Sequence, residues 1–280
     1  MTLREWLSNG EAQLLTGPHP DRAKRDAESL LLHLIGKNKA WLMVHGEDDF
    51  AGCSAIRYAG LLERRRKGEP IQYITGETEF YGLPLLVKRD VLIPRPETEF
   101  LVEKTLEFAA AFEHPRIIDI GTGSGAIPIA FAHNLPHAQI TATDISAAAL
   151  SLAEENAKRH RVAIRFLQGD LLAPVAGEQF DIIVSNPPYV PESDRGSLSV
   201  EVRDHEPALA LFAGDDGLSI YRRLIPQAFA SLSHGGFIAL EIGSGQQPAI
   251  DSLLIEAGFS DVQFTPDLQG IPRVAAARRL

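Results

Sequence analysis

The residues best suited to chemistry form one short stretch, Ser185-Asn186-Pro187-Pro188-Tyr189. Asn186 offers a carbonyl acceptor and an amide donor, and the two prolines make the backbone beside it stiff. Such a loop could accept the N–H bonds of a planar, nitrogen-bearing group, with the ring of Tyr189 against its face. Taken alone, these residues are also typical of a turn that ends a strand, and that interpretation is the more common one.

A second candidate is the stretch Asp119-Ile120-Gly121-Thr122-Gly123-Ser124-Gly125, between a predicted strand and a predicted helix. Glycines in this position allow a tight turn and a close approach of the backbone to a ligand at the helix N-terminus. Gly121, Gly123 and Ala126 also satisfy the dinucleotide fingerprint, so an NAD site is an alternative at this point.

Acidic residues follow two further predicted strands. Asp144 could hold ribose hydroxyls with either cofactor, and Asp170, after Gly169, could accept a hydrogen bond from an exocyclic amine. Each acid by itself is as often a helix cap or a turn residue. The functional interpretation therefore depends on whether the strand ends converge.

Asp119 separates the two cofactors by the sign of its charge. A carboxylate just before the glycine turn would face the pyrophosphate of a dinucleotide unfavourably, but it suits the ammonium and sulfonium of S-adenosylmethionine. We therefore hypothesise an S-adenosylmethionine site. Retention of labelled NAD, but not of S-adenosylmethionine, by the purified protein would contradict this hypothesis.

The elements that must position these residues belong to an α/β fold. From Arg116 onward, apolar strand patterns alternate with helical ones, which indicates βαβ units and a mainly parallel sheet covered on both faces. Carboxyl ends of parallel strands meet at one edge of the sheet, so we expect the polar strand ends to converge there. The predicted strands cover residues 117–120, 139–143, 163–167, 180–184, 236–242, 261–264 and 272–276.

The rest of the chain predicts supporting domains. Residues 1–70 indicate four short helices without a catalytic constellation, a small domain suited to recognising a partner. Residues 71–94 predict a connector with a β-hairpin, whose strands at 79–81 and 85–87 join through Gly82-Leu83-Pro84. Residues 95–280 form the sheet domain, in which 190–207, the longest irregular polar stretch, is a candidate lid.

Composition narrows the function classes. The 280 residues include 27 basic and 37 acidic side chains, a net charge of −10, so we expect no direct nucleic-acid partner. Cys53 is the only cysteine and the nine histidines show no metal pattern, so we expect no metal. The sequence shows neither a signal peptide nor a membrane span, which predicts a cytoplasmic protein without membrane contact. We expect a monomer.

Together, the glycine turn, Asp144, Gly169-Asp170 and the Asn186-Pro187-Pro188-Tyr189 loop resemble the motifs of the Rossmann-like S-adenosylmethionine-dependent methyltransferases. The form of the loop resembles the branch that methylates planar nitrogens of adenine, cytosine or glutamine. Over nearly the whole chain, further motifs are similar to the peptide chain release factor N5-glutamine methyltransferases of the PrmC/HemK type. They are Gln72-Tyr73-Ile74-Thr75-Gly76, Phe80-Tyr81-Gly82, Pro94-Arg95-Pro96-Glu97-Thr98-Glu99, Glu206-Pro207, Gly214 with Asp216-Gly217-Leu218, and Asp267-Leu268-Gln269-Gly270 with Arg273.

This resemblance implies a role for each site residue. The turn of Gly121, Thr122, Gly123, Ser124 and Gly125, with Asp119, would cradle the methionine part of S-adenosylmethionine. Asp144 would bind the ribose hydroxyls, and Asp170 and Leu171 would lie beside adenine, where some relatives have an aromatic residue instead of Leu171. Asn186, Pro187 and Tyr189 would be the catalytic residues, and Asn186 would also contact the cofactor. Asn186 and the Pro187 carbonyl would accept both N–H bonds of a glutamine amide, and Pro188 and Tyr189 would complete the substrate site.

The implied activity is transfer of a methyl group from S-adenosylmethionine to the glutamine of the Gly-Gly-Gln loop in class I release factors, with S-adenosylhomocysteine as the product. A DNA adenine-N6 methyltransferase is the first alternative, but it would have to flip a base and grip a duplex, and this acidic chain has no extra basic recognition domain. A non-catalytic module that binds the cofactor is the second alternative. It is hard to reconcile with an intact loop at Asn186.

Overall fold

The computed structural model describes residues 1–50 and 52–280. The chain divides into two compact units, of which the first comprises Met1–Glu77 with Leu198–His205 and the second comprises Thr78–Ser197 with Glu206–Leu280. The strands are β1 Glu77–Phe80, β2 Leu83–Leu86, β3 Arg116–Ile120, β4 Gln139–Asp144, β5 Arg165–Gln168, β6 Phe180–Ser185, β7 Leu232–Glu241, β8 Ser260–Pro266 and β9 Pro272–Arg278. The α-helices are α1 Leu3–Leu14, α2 Ala23–Ile35, α3 Lys39–His45, α4 Cys53–Arg66, α5 Ile71–Thr75, α6 Thr98–Ala109, α7 Ala126–Asn134, α8 Ala147–His160, α9 Val200–His205, α10 Ser219–Ser231 and α11 Gln247–Glu256.

The first unit is helical, and the four helices predicted within residues 1–70 are confirmed as α1 to α4. Helix α1 begins in a capping box, in which Thr2 and Glu5 satisfy each other's backbone N–H groups. The core is apolar and includes Leu30, Leu31 and Tyr58, and the Tyr58 hydroxyl donates a hydrogen bond to the Ala27 carbonyl at 3.0 Å.

Helix α9 belongs to this first unit because of a buried ion-pair cluster. Arg65 is 3% exposed; its Nε donates to Asp26 at 2.7 Å, and its Nη1 donates to Glu201 of α9. The expectation that residues 190–207 are irregular is therefore wrong, since this stretch holds α9 and a short 3-10 helix over Glu192–Ser197. Charged side chains made the stretch resemble a solvated loop, although one of them meets a buried arginine.

The second unit contains a seven-stranded sheet in the described part of the chain, with the order β5-β4-β3-β6-β7-β9-β8. Strands β3 to β7 pair in parallel, and β9 runs antiparallel to both of its neighbours. The prediction of a mostly parallel sheet with seven strands is confirmed. The strand order reverses between β3 and β6, and this switch point is where ligands bind in open α/β sheets.

Alternate residues of the central strands enter different cores. Ile118 and Ile183 pack with the cluster under α10 and α11, whereas Ile117 and Ile182 pack with the cluster under α6, α7 and α8. Each of these side chains is fully buried, and burial of one such side chain contributes about 1.5–3 kcal/mol. A sheet that is apolar on both faces leaves only the strand ends for polar chemistry.

The β-hairpin is present, but its predicted strand limits are wrong by one to two residues. The turn consists of Tyr81 and Gly82, which have φ values of 53° and 71°, because a two-residue hairpin turn of this type needs positive φ at both positions. Strand β2 therefore starts at Leu83 and includes Pro84, which is tolerated because the two-stranded sheet has only edge strands.

We predict that Asn156→Ala lowers the free energy of unfolding by about 3 kcal/mol, because it leaves buried backbone groups unpaired. The Asn156 side chain accepts from the Leu86 N–H at 2.8 Å and donates to the carbonyls of Leu86 and Ser124 at 3.0 and 2.9 Å. It thereby ties β2 and the glycine turn to α8. Chemical denaturation measures the change, with Asn134→Ala as the control, since Asn134 makes one bond within its own helix. Equal stabilities of the two variants would contradict the prediction.

Candidate active site

A cavity of about 440 Å³ lies at the carboxyl ends of β3, β4 and β6, a volume typical of a small-molecule site. The polar strand ends Asp144, Asp170 and Asn186 line it, as the sequence predicts, and the loop before α6 adds Pro94 while the first residue of α6 is Thr98, which also lines it. The predicted site residues in the lining are Gly121, Thr122, Gly123, Ser124, Asp144, Asp170, Leu171, Asn186, Pro187 and Pro188. Three predicted site residues do not line the cavity: Asp119, Gly125 and Tyr189.

Asp144 holds the glycine turn in place. One of its carboxylate oxygens accepts from the Gly123 N–H and the other accepts from the Ser146 N–H, both at 2.9 Å. The helix-cap interpretation of Asp144 is wrong, because Ser146 is the residue that caps α8, through the Ala149 N–H. Asp144 therefore shapes the backbone that lines the cavity and presents its carboxylate to the same space.

Asp119 is fully buried directly before the glycine turn, and neither carboxylate oxygen has a hydrogen-bond partner among the described residues. Burial raises the pKa of Asp119 to about 7; the nearby Thr122 hydroxyl opposes the rise and the Asp144 carboxylate adds to it. A buried carboxylate without a partner is costly for the fold. A bound cation would offset that cost.

Asp170 and Leu171 lie at the exposed end of the cavity lining. The Asp170 carboxylate forms an ion pair with Arg223, which also lines the cavity, so it has a partner that the sequence does not indicate. Leu171 has a φ of 51°, an uncommon conformation for a residue other than glycine, and its carbonyl accepts from the Thr143 hydroxyl at 3.1 Å. Leu171 lines the cavity in this strained conformation.

Asn186 is anchored by a chain of side-chain hydrogen bonds. Its Nδ2 lies 3.1 Å from Thr98 Oγ1, and that hydroxyl lies 2.6 Å from Glu241 Oε2. The Asn186 Oδ1 makes no hydrogen bond with any described residue. The amide of Asn186 is therefore held at one end and free to accept at the other.

Glu241, at the end of β7, is 2% exposed. Burial raises its pKa to about 7, against the effect of the hydrogen bonds from Thr98 and from the Tyr189 hydroxyl, which donates to Oε1 at 3.3 Å. Tyr189 thus points to this carboxylate and away from the cavity lining. Sequence reasoning missed both Thr98 and Glu241, although an acid at the end of an apolar strand, before Gly243-Ser244-Gly245, was a usable signal.

The backbone after Pro188 is clamped by a second polar side chain. Gln246 Nε2 donates to the carbonyl of Tyr189 at 3.0 Å and to that of Gly217 at 3.3 Å. A Cβ on Gly217 would lie 2.2 Å from the Tyr189 carbonyl oxygen, and Gly217 has a φ of 72°, so only glycine fits. The loop that carries Asn186 is therefore held rigidly on both sides.

Two segments of the chain match models of known protein families. Residues 96–202 match the methyltransferase small domain, and residues 5–76 match the PrmC N-terminal domain. Over its full length the chain is 40% identical to the release factor glutamine methyltransferase of Deinococcus radiodurans, with 100% of this chain and 99% of the relative covered. It is 41% identical to the protein of the same name from Escherichia coli, with 99% of each chain covered.

The chain belongs to the release factor glutamine methyltransferase family. The resemblance inferred from the motifs is thereby confirmed. The motif from Pro94 to Glu99, which is part of that resemblance, contributes Thr98 to the cavity lining.

Solved structures support the fold. The superposition on a methyltransferase from Pyrococcus furiosus has a TM-score of 0.52 at 20% identity and covers 71% of this chain and 90% of that one. The superposition on the hMettl16 catalytic domain, solved in complex with a 3′UTR hairpin, has a TM-score of 0.59 at 17% identity and covers 80% and 81%. The Rossmann-like methyltransferase fold is therefore confirmed.

Among residues 1–50 and 52–280, no group of three or more His, Cys, Asp or Glu side chains could hold a metal ion. No helix in that part of the chain is long and apolar enough to cross a membrane.

Proposed function

We propose that this chain transfers a methyl group from S-adenosylmethionine to the side-chain amide nitrogen of the glutamine in the Gly-Gly-Gln motif of class I peptide chain release factors, and so tunes translation termination. The observation that carries the proposal is the Asn186 amide, which lines the cavity with Nδ2 anchored and Oδ1 unpartnered. Such an acceptor suits a substrate N–H. The names of the relatives support the choice of release factor.

The residues around the cavity fit S-adenosylmethionine, which supplies an electrophilic methyl group on a sulfonium. Asp119 would neutralise positive charge on the methionine part, because it is a buried carboxylate without a partner. A Cβ added at Gly121 or Gly123 would meet no atom within 4 Å, so the turn leaves space for a ligand, with Thr122, Ser124 and Gly125 completing it. Asp144 would hold the ribose, and Asp170 and Leu171 the adenine. We propose no metal.

The protein's own contribution is to place and polarise the amide. The nitrogen of a glutamine amide is a poor nucleophile because its lone pair is delocalised into the carbonyl. Asn186 Oδ1 and the Pro187 carbonyl would accept its two N–H bonds in a geometry that favours a pyramidal nitrogen over the planar ground state. Pro188 would limit the approach of the substrate, and Tyr189 would act from outside the lining by holding the loop to Glu241.

The remaining assignments are part of the same proposal. The helical domain of residues 1–70 would recognise the release factor, residues 71–94 would connect, and residues 95–280 would catalyse. The protein would act as a monomer in the cytoplasm, without direct contact with nucleic acid or membrane. An acidic chain supports a protein rather than a nucleic-acid partner.

Mass spectrometry of a release factor incubated with the enzyme and S-adenosylmethionine tests the proposal. We expect the mass increase of one methyl group that replaces a hydrogen, on the glutamine of the Gly-Gly-Gln peptide. The matched control is a release factor in which that glutamine is replaced by asparagine, and a parallel reaction contains DNA with a radiolabelled cofactor. Label in DNA alone would replace the proposal by the DNA methyltransferase alternative, and binding without transfer to any substrate would replace it by the non-catalytic one.

A further inference from the structure

We propose that Thr98 and Glu241 are positioning residues that fix the orientation of the Asn186 amide, so that its oxygen and not its NH₂ group faces the substrate. The inference rests on the proposed function, because it assigns a direction to the acceptor on which that function depends. It concerns two residues that lie 143 positions apart in the sequence and meet at a hydroxyl–carboxylate distance of 2.6 Å.

The direction follows from counting protons. A threonine hydroxyl has one proton, and a short contact with a carboxylate oxygen is typical of a hydroxyl that donates to a charged acceptor. Thr98 therefore gives its proton to Glu241 and can only accept from its other neighbour, Asn186, at 3.1 Å. Only the Nδ2 end of Asn186 can donate, so Oδ1 is turned the other way.

The opposite orientation of the Asn186 amide would leave the site without an acceptor for the substrate N–H groups. If Asn186 presented Oδ1 to Thr98, its NH₂ group would line the cavity and face the N–H groups of a substrate amide, donor against donor. An asparagine amide has nearly the same shape in both orientations, so packing alone does not choose between them. The ionised carboxylate makes the choice, because it must receive the Thr98 proton.

Glu241 is itself held by three hydroxyl groups, from α6, from the loop after β6 and from α10. The Tyr189 hydroxyl donates to Oε1, the Thr98 hydroxyl donates to Oε2, and the Tyr221 hydroxyl donates to the backbone carbonyl at 2.6 Å. The charge of Arg273 favours ionised Glu241 and that of Glu97 opposes it. Both carboxylate oxygens thus have a partner, which leaves the carboxylate no freedom to release Thr98.

Protonation of Glu241 would remove the constraint. A protonated carboxyl can donate to Thr98, whose own proton is then free to turn towards Asn186, so both amide orientations become available. Burial raises the pKa of Glu241 to about 7. We therefore expect kcat at saturating substrates to fall as the pH drops below about 7, and we expect Glu241→Gln to lose this acid limb, because glutamine does not titrate.

The test compares three threonine variants. Thr98→Val removes the hydroxyl at constant shape and should lower kcat about 10- to 30-fold with little change in the KM for S-adenosylmethionine, because the acceptor is no longer oriented. Thr98→Ser restores the hydroxyl and should recover most of the loss. Thr105→Val is the matched control, since Thr105 is also buried on α6 but donates only to the Leu101 carbonyl of its own helix.

A second measurement compares hydrogen exchange of the Asn186 side chain in the wild type and in Thr98→Val. The Nδ2 protons of Asn186, assigned by NMR, should exchange with solvent more slowly at pH 8 than free asparagine does, and they should lose this protection in Thr98→Val. If the wild type methylates release factor but Thr98→Val has wild-type kcat, or if the Nδ2 protons exchange freely, the inference is wrong while the proposed function stands. If the wild type methylates nothing, the proposed function itself fails.

Discussion

Asn186→Ala abolishes methyl transfer, with an expected loss of about 10³-fold or more in kcat, because a preorganised acceptor at the reacting nitrogen is lost. The affinity for S-adenosylmethionine stays within about twofold, since the glycine turn, Asp119 and Asp144 are untouched. The rate and the cofactor affinity respond differently because of the geometry of the site. Asn186 contacts Thr98 through Nδ2 and offers only its free oxygen to a substrate.

Single-turnover kinetics on a release-factor peptide measure the rate, and isothermal titration calorimetry measures cofactor binding. Asn134→Ala, which removes an asparagine on α7 that bonds only to the Ala130 carbonyl, is expected to keep the wild-type rate. Transfer by Asn186→Ala at the normal rate would remove Asn186 from the mechanism. A parallel loss of cofactor binding would instead show that Asn186 acts mainly by holding the cofactor.

Asp119→Asn weakens S-adenosylmethionine binding by an expected factor of the order of 100, because a buried carboxylate that would face a cation is lost. The pH dependence of binding gives a sharper result. Free Asp119 has a pKa of about 7 and must be ionised to bind a cation, so the wild-type affinity should be about eightfold lower at pH 6 than at pH 7.5. The variant should show no such dependence, because asparagine does not titrate.

Isothermal titration calorimetry at both pH values measures the affinity for S-adenosylmethionine and tests this pH dependence. Asp261→Asn, an exposed position outside the cavity where the left-handed backbone suits asparagine, is the control and should behave as the wild type does. A wild-type affinity that is independent of pH, or an equal slope in Asp119→Asn, would show that Asp119 does not face a charge on the cofactor.

The same substitution should stabilise the ligand-free protein above pH 7. Burial raises the pKa of Asp119 from 3.8 to about 7, so the folded state binds this proton more tightly than the unfolded chain does. The Asp119 contribution to stability is therefore present below pH 4 and is lost as the pH rises to about 7. At pH 8 we expect the free energy of unfolding of Asp119→Asn to be about 1–3 kcal/mol higher than that of the wild type. Urea denaturation would measure the difference.

Much of the fold was predictable because it depends on local chemistry. Apolar periods and glycine or proline breaks located the seven strands, and their alternation with helices implied a parallel sheet. The hairpin limits were missed because the turn needs positive φ at Tyr81. A tyrosine in a sequence does not indicate this conformation, which is uncommon for residues other than glycine. The helix α9 was missed because its packing partner, Arg65, lies 136 residues away in the sequence.

Apolar periodicity alone places the glycine turn, Asp144, Asp170 and Asn186 at the strand ends, and so identifies them as candidates. What each of them contacts depends on how distant segments pack. Arg223 reaches Asp170 across 53 residues, and Asn186 depends on Thr98, 88 residues earlier. Periodicity and turn propensity report a residue's own backbone, whereas hydrogen-bond direction and burial depend on neighbours that the sheet brings together. The Asn186 loop can therefore be predicted from the sequence, whereas the orientation of the Asn186 amide by Glu241 can be inferred only from the fold.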